Sequence, residues 1–167
     1  IVSGLSGGGK SRAADVLEDL DFYCVDNMPT ALLTKFAELC LATRGRYEKV
    51  ALVTDIRSQE SFSELFAALG ELANMGVDYR ILFVEASESA IVRRYKESRR
   101  PHPLQAESRC SLPEAVRRES ELLAPVRERA DYVINTTGLT LAMLQKRICE
   151  YFADGGTRRD ILINVVS

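Results

Sequence analysis

The sequence is short of the residues that most often carry chemistry by themselves. It has one histidine, His102, and four cysteines, Cys24, Cys40, Cys110 and Cys149. The cysteines form no C-x-x-C pair, which excludes the usual zinc and dithiol redox patterns. Scattered in apolar strings, they read as reduced core thiols of a cytoplasmic protein. No run reaches the ~18 consecutive apolar residues of a membrane span. Charge of one sign is missing too. The 22 basic and 24 acidic side chains leave a net charge of −2. That excludes a chain-wide electrostatic grip on nucleic acid and leaves room only for a local basic strip.

What is there is an ordinary globular balance over 167 residues, 46% hydrophobic and 28% charged. It suffices for one full α/β domain and is short for two. Short apolar runs alternate with helical periodicity. Strands are expected at Ile1–Ser3, Phe22–Val25, Val50–Val53, Tyr79–Val84 and Tyr132–Ile134. Helices are expected at Lys10–Leu20, around Leu32–Cys40, around Phe62–Leu72, at Ser89–Arg99, from Ser111 to about Leu122, and at Thr140–Phe152. Gln105–Arg109 reads as a loop, and Ser111 with Glu114 reads as a capping box. Ala124-Pro125 reads as an interruption of its helix.

Continuous apolar strands between helices predict a mostly parallel five-stranded sheet covered on both faces. The expected class is a three-layer α/β P-loop fold of the kinase-like kind, with strand order 2-3-1-4-5. One domain is expected over residues 1–153. Residues 154–167 are expected to be a linker and the first strand of a further, truncated C-terminal domain, because both ends of the chain read as cut.

Gly4-Leu5-Ser6-Gly7-Gly8-Gly9-Lys10-Ser11 matches G-x-x-x-x-G-K-[ST], after an apolar strand and before a helix. Glycines there let backbone N–H groups turn inward around a phosphate, aided by the positive helix end. Lys10 is expected to reach the β- and γ-phosphate oxygens, and the Ser11 hydroxyl to ligate Mg²⁺. A carboxylate at the end of a neighbouring strand commonly completes such a metal site. Asp55 ends Val50–Thr54 in that way; Asp26 and Glu85 end the second and fourth strands and are further candidates. Each carboxylate could equally cap the next helix or open a turn.

Arg93, Arg94, Lys96, Arg99 and Arg100 make a dense cationic strip, with Arg93, Lys96 and Arg100 on one helix side. Arginine grips phosphate through a planar fork and stabilises charge on a phosphoryl group in transfer. The strip can be a phosphoryl-transfer lid or a solvated helix face, and Arg94 is the candidate catalytic arginine. Arg117, Arg118, Arg127 and Arg129, interleaved with Glu119, Glu121 and Glu128, read as ion pairs on a surface helix. His102 shows no oriented partner in sequence, so a structural or phosphate-contact role is expected ahead of a general-base one.

Four stretches closely resemble the RapZ/YvcJ family of bacterial nucleotide-binding proteins. They are the phosphate loop, the Leu17–Pro29 run containing Phe22-Tyr23-Cys24-Val25-Asp26-Asn27, the Asp55-Ile56-Arg57-Ser58 segment, and Arg93–Leu104 with His102-Pro103-Leu104. Leu122–Asp131 adds a further match. The resemblance implies a kinase-like P-loop domain followed by a second domain, binding and hydrolysis of ATP and GTP, and, in some members, an adapter role that delivers a small regulatory RNA to a ribonuclease in the control of amino-sugar synthesis. It implies that Gly4 to Ser11 hold ATP and that Asp55, Ile56, Arg57 and Ser58 are a GTP contact. RNA and RNase contacts would belong mainly to the second domain, and a homo-oligomer is left open. The family tends to carry Asp where Glu85 and Asn135 stand, which argues against catalytic roles there.

The candidate catalytic set is therefore Lys10, Asp55 and Arg94, with Ser11 and Asp55 toward a metal. The leading expectation is slow hydrolysis in a regulatory protein, since no water-positioning Gln or clear general base is present. A small-molecule or nucleotide kinase and a non-enzymatic nucleotide-sensing module are the alternatives.

Overall fold

A computed structural model describes residues 1–43, 47–53, 59–108 and 110–152. The elements alternate as β1 (Val2–Gly4), α1 (Lys10–Asp19), β2 (Tyr23–Val25), α2 (Leu33–Ala42), β3 (Val50–Leu52), α3 (Gln59–Asn74), β4 (Leu82–Glu85), α4 (Glu88–Ser98), α5 (Pro103–Ser108), α6 (Leu112–Glu128), β5 (Tyr132–Asn135) and α7 (Leu141–Phe152), with a 3-10 turn at Thr30–Leu32 before α2.

All the pairings are parallel, as expected of strands buried on both faces. β1, β4 and β5 form one ladder in that order, and β2 pairs β3 in a second. Among the described residues, a parallel bridge, Val2 to Val53, joins the two. Five parallel strands are present as expected, in a three-stranded and a two-stranded ladder, where one sheet of order 2-3-1-4-5 was expected.

Apolar side chains fill both faces. One cluster holds Leu33, Leu52, Leu65, Leu72, Phe83, Ile91, Val116 and Leu123 under α2, α3, α4 and α6. The other holds Val2, Ala13, Leu17, Val84, Ile134, Leu144 and Ile148 under α1 and α7. Helices on both sides of a parallel sheet give three layers. No described helix is long and apolar enough to cross a membrane.

Three local expectations are corrected. Gln105–Ser108, expected within a loop, belong to the short helix α5, with Pro103 at its first position, where its missing N–H costs nothing. α6 runs unbroken through Pro125 to Glu128. Leu123 and Val126 on either side are fully buried, and that packing outweighs the lost backbone bond. Ser111 stands at the α6 N-cap position, yet its side chain makes no capping bond.

Candidate phosphate-loop site

The site begins where β1 runs out. Gly4 lies in register with Val84 of β4, and a Cβ on Gly4 would sit 1.7 Å from the Val84 carbonyl oxygen, at φ +156°. Only glycine fits so close a backbone approach. The chain then turns through Leu5–Gly9, where the Gly8 N–H donates to the Leu5 carbonyl at 2.7 Å. Gly9 enters α1 in the left-handed region, with no capping side chain and no acidic residue in the first turn. A helix start of that kind turns its first amides and positive dipole end toward an anion.

Lys10 is buried, and its ammonium donates to the Gly4 carbonyl at 2.9 Å. From α4, the Arg94 guanidinium donates to the Gly7 carbonyl at 2.8 Å and to the Thr136 Oγ1 and carbonyl at 3.1 Å each. Burial, with Arg93 adjacent, lowers the Arg94 pKa from its ordinary value. The Thr136 hydroxyl donates to the Gly8 carbonyl at 2.6 Å, and the Thr136 N–H to the Glu85 carbonyl at 2.7 Å. Thr136 therefore ties the end of β5 to the loop. It was not among the expected site residues, and its one sequence signal is a hydroxyl immediately after a strand.

A cleft of about 770 Å³ opens from the loop. At the loop end it is lined by Gly7, Gly9, Lys10 and Ser11, and beyond them by Arg94 and Arg100. Its apolar lining comes from Leu139, Leu141, Leu144 and Tyr95. The structure thus brings Lys10, Ser11 and Arg94 together. It also re-sorts the arginine strip: Arg94 and Arg100 reach the cleft, whereas Arg93 is exposed and lies 4.0 Å from Glu97. Arg99, in the left-handed conformation, ends α4 and turns the chain.

Asp55, Ile56, Arg57 and Ser58 lie outside the described residues. Glu85 is engaged elsewhere, accepting two bonds from Arg127 at 2.7 and 3.1 Å. Asp26 is exposed and accepts from the Asn27 N–H at 2.8 Å, so the turn-forming reading describes it. Among the described residues, no group of three or more His, Cys, Asp or Glu is gathered for a metal.

The largest departure from the sequence reading is Glu119. Taken there as part of a surface ion-pair face, it is 5% exposed and sits beneath the loop. It accepts the Ser6 N–H at 2.9 Å on Oε2 and the Ser6 hydroxyl at 2.5 Å on Oε1. His102, fully buried, donates to Glu119 Oε2 at 3.2 Å. The Leu104 N–H donates to His102 Nδ1 at 3.2 Å, which assigns the ring proton of the Glu119 bond to Nε2. Burial pushes the Glu119 carboxyl up. The His102 bond, the Lys10 charge and the Ser6 bonds outweigh it and hold the pKa below its ordinary value. His102 therefore has the oriented partner that sequence did not reveal, and its burial supports the structural reading over direct phosphate contact. The other charges on α6 are at the surface as expected: Arg117 pairs with Glu88 and Arg118 with Glu114, both at 3.1 Å. Arg129, just past α6, is exposed as well and lies over the Phe66 ring.

A family model described as the RapZ-like N-terminal domain matches residues 1–156. The chain belongs to the RapZ-like N-terminal domain family. Similar relatives are each named "nucleotide-binding protein". One from Acetivibrio thermocellus is 46% identical over all 167 residues, which cover 57% of that protein. Others, from Ruminiclostridium cellulolyticum at 46% and Alkaliphilus oremlandii at 43%, match over the same length and share. The chain spans little more than half of these RapZ-like relatives. A solved structure, TT1252 from Thermus thermophilus, aligns with 93% of this chain and 96% of its own, at TM-score 0.44 and 20% identity.

Proposed function

We propose that this chain binds ATP and GTP through the Gly4–Ser11 loop and hydrolyses them slowly, in a regulatory capacity. The observation that carries the reading is the loop itself: a G-x-x-x-x-G-K-S turn between β1 and α1 that opens onto a cleft lined by Lys10, Arg94 and several apolar side chains. The relatives' names point the same way.

The cleft fits a nucleoside triphosphate by its chemistry. Glycines leave a cradle beside the amides of the loop and the α1 start, suited to phosphate oxygens. Lys10 would exchange its Gly4 carbonyl partner for phosphate. Arg94, already oriented by Gly7 and Thr136, would face the terminal phosphoryl group. Leu139, Leu141, Leu144 and Tyr95 give the cleft an apolar lining that suits either purine and supports use of both nucleotides. Mg²⁺, when bound, would neutralise phosphate charge; Ser11, at the loop end of the cleft, would offer it a hydroxyl oxygen, and Asp55 is the proposed carboxylate partner. Among the described residues of the cleft no side chain is poised as a general base, which supports slow turnover. A longer protein, on the scale of the relatives, would link this domain to a second one carrying any RNA or RNase contact, in the cytoplasm.

The test is calorimetric titration of the chain with Mg²⁺-ATP and Mg²⁺-GTP, with phosphate release followed in parallel, beside Lys10→Ala. Both nucleotides should bind, and Lys10→Ala should weaken each at least about tenfold and abolish release. Absence of binding by the unaltered chain would overturn the proposal. Kinase action is the second reading, favoured by Arg94 and Arg100 lining one cleft. It requires ADP release that rises steeply with an added phosphate acceptor.

A further inference from the structure

We infer that Glu119 is a positioning residue for the phosphate loop, and that His102 and Tyr95 close a clamp around it; this rests on the nucleotide reading above. A carboxylate buried beneath a phosphate loop is costly on electrostatic grounds, since burial disfavours its charge and the expected ligand is itself an anion. Attraction for the ligand therefore does not account for it. Geometry does. Each oxygen of Glu119 takes a different donor of the same residue, the Ser6 N–H and the Ser6 hydroxyl. Two bonds from one rigid carboxylate to main chain and side chain fix Ser6 in a single conformation.

The residues that follow are held as firmly. Gly7 has φ +78°, and a Cβ there would lie 3.0 Å from the Tyr95 ring. Its carbonyl is taken by Arg94, and the Gly8 carbonyl by Thr136. Tyr95 in turn packs on His102, ring centroids 5.1 Å apart, and His102 donates to Glu119. The circuit Ser6–Glu119–His102–Tyr95–Gly7 thus closes on itself through α6, the start of α5 and α4. The groups facing the Glu119 carboxylate include Lys10 and His102. A loop ordered in advance does not lose that freedom when ligand binds, so the clamp acts on affinity.

The test is equilibrium binding of a fluorescent N-methylanthraniloyl ATP with Mg²⁺, together with thermal melts taken without nucleotide. Glu119→Ala should weaken binding at least about tenfold, and His102→Ala at least about threefold. Glu119→Gln can keep every one of these bonds, its amide oxygen replacing Oε2 and its NH₂ donating to a Ser6 hydroxyl turned acceptor. It should bind within about threefold of the unaltered chain. A Glu119→Ala protein with a lowered melting temperature and undiminished affinity would overturn the inference, leaving Glu119 a fold-stabilising residue only. Glu119→Gln binding as poorly as Glu119→Ala would overturn it as well, by showing that charge and not geometry matters. If Glu119→Ala fails to melt cooperatively, Ser6→Ala carries the test: it removes only the hydroxyl bond, should cost at least about threefold, and overturns the inference if affinity is unchanged. An unaltered chain that melts cooperatively and binds no nucleotide would bring down the nucleotide reading, and the clamp with it. Binding that ignores the clamp variants brings down the clamp alone.

Discussion

The two faces of α6 carry similar letters and do different work. Outward, Arg117, Arg118 and Arg127 pair with Glu88, Glu114 and Glu85 across exposed or half-exposed surface. Inward, Ala115, Val116, Leu123 and Val126 are buried, and Glu119 is buried among them. The outer pairs sit in high dielectric, where Coulomb gain and side-chain entropy nearly cancel. The inner carboxylate sits where an unmet hydrogen bond costs its full desolvation penalty. A glutamate in a helix is thus defined by the face it occupies and by what waits there.

That contrast can be broken at several points. Leu123→Ala, on the inner face, should cost about 3 kcal/mol in chemical denaturation, the usual toll of a cavity in a packed core. Glu119→Ala should cost about 2 kcal/mol by stranding Ser6 and His102. Its acid behaviour sharpens the point. The folded carboxyl has a pKa below its ordinary 4.5, so the stability it contributes is complete above that value and is lost as pH falls through the depressed one. The advantage of the unaltered chain over Glu119→Gln should therefore shrink on acidification below 4.5, read from unfolding curves at stepped pH. Arg118→Ala, on the outer face, should shift stability by less than about 0.5 kcal/mol and should lose even that in high salt. An Arg118 effect matching that of Glu119 would erase the distinction.

What was legible in the chain follows the same division. The strand–loop–helix run from Val2 to Asp19 was readable because its signals are local: glycines at fixed spacing, an apolar strand before them, helical periodicity after them. The alternation of elements was readable for the same reason. Glu119 was not, because its partner Ser6 is 113 residues away and its neighbours in sequence are arginines. His102 was noticed for its rarity, but its function depends on a ring nitrogen meeting a carboxylate 17 residues on. α5 escaped because six residues leave too little periodicity to detect. Pro125 was given its local meaning, and burial on both sides overruled it.

The junction between the two ladders has a thermal consequence. Within each ladder the strands are held by rows of backbone hydrogen bonds; among the described residues, a bridge and the apolar side chains of Leu52, Ile1 and Phe83 in a shared cluster join the two. Hydrogen-bonded pairing and apolar contact respond differently to cooling, since apolar attraction weakens as temperature falls. The apolar share of that junction is therefore firmer in warmth than in the cold.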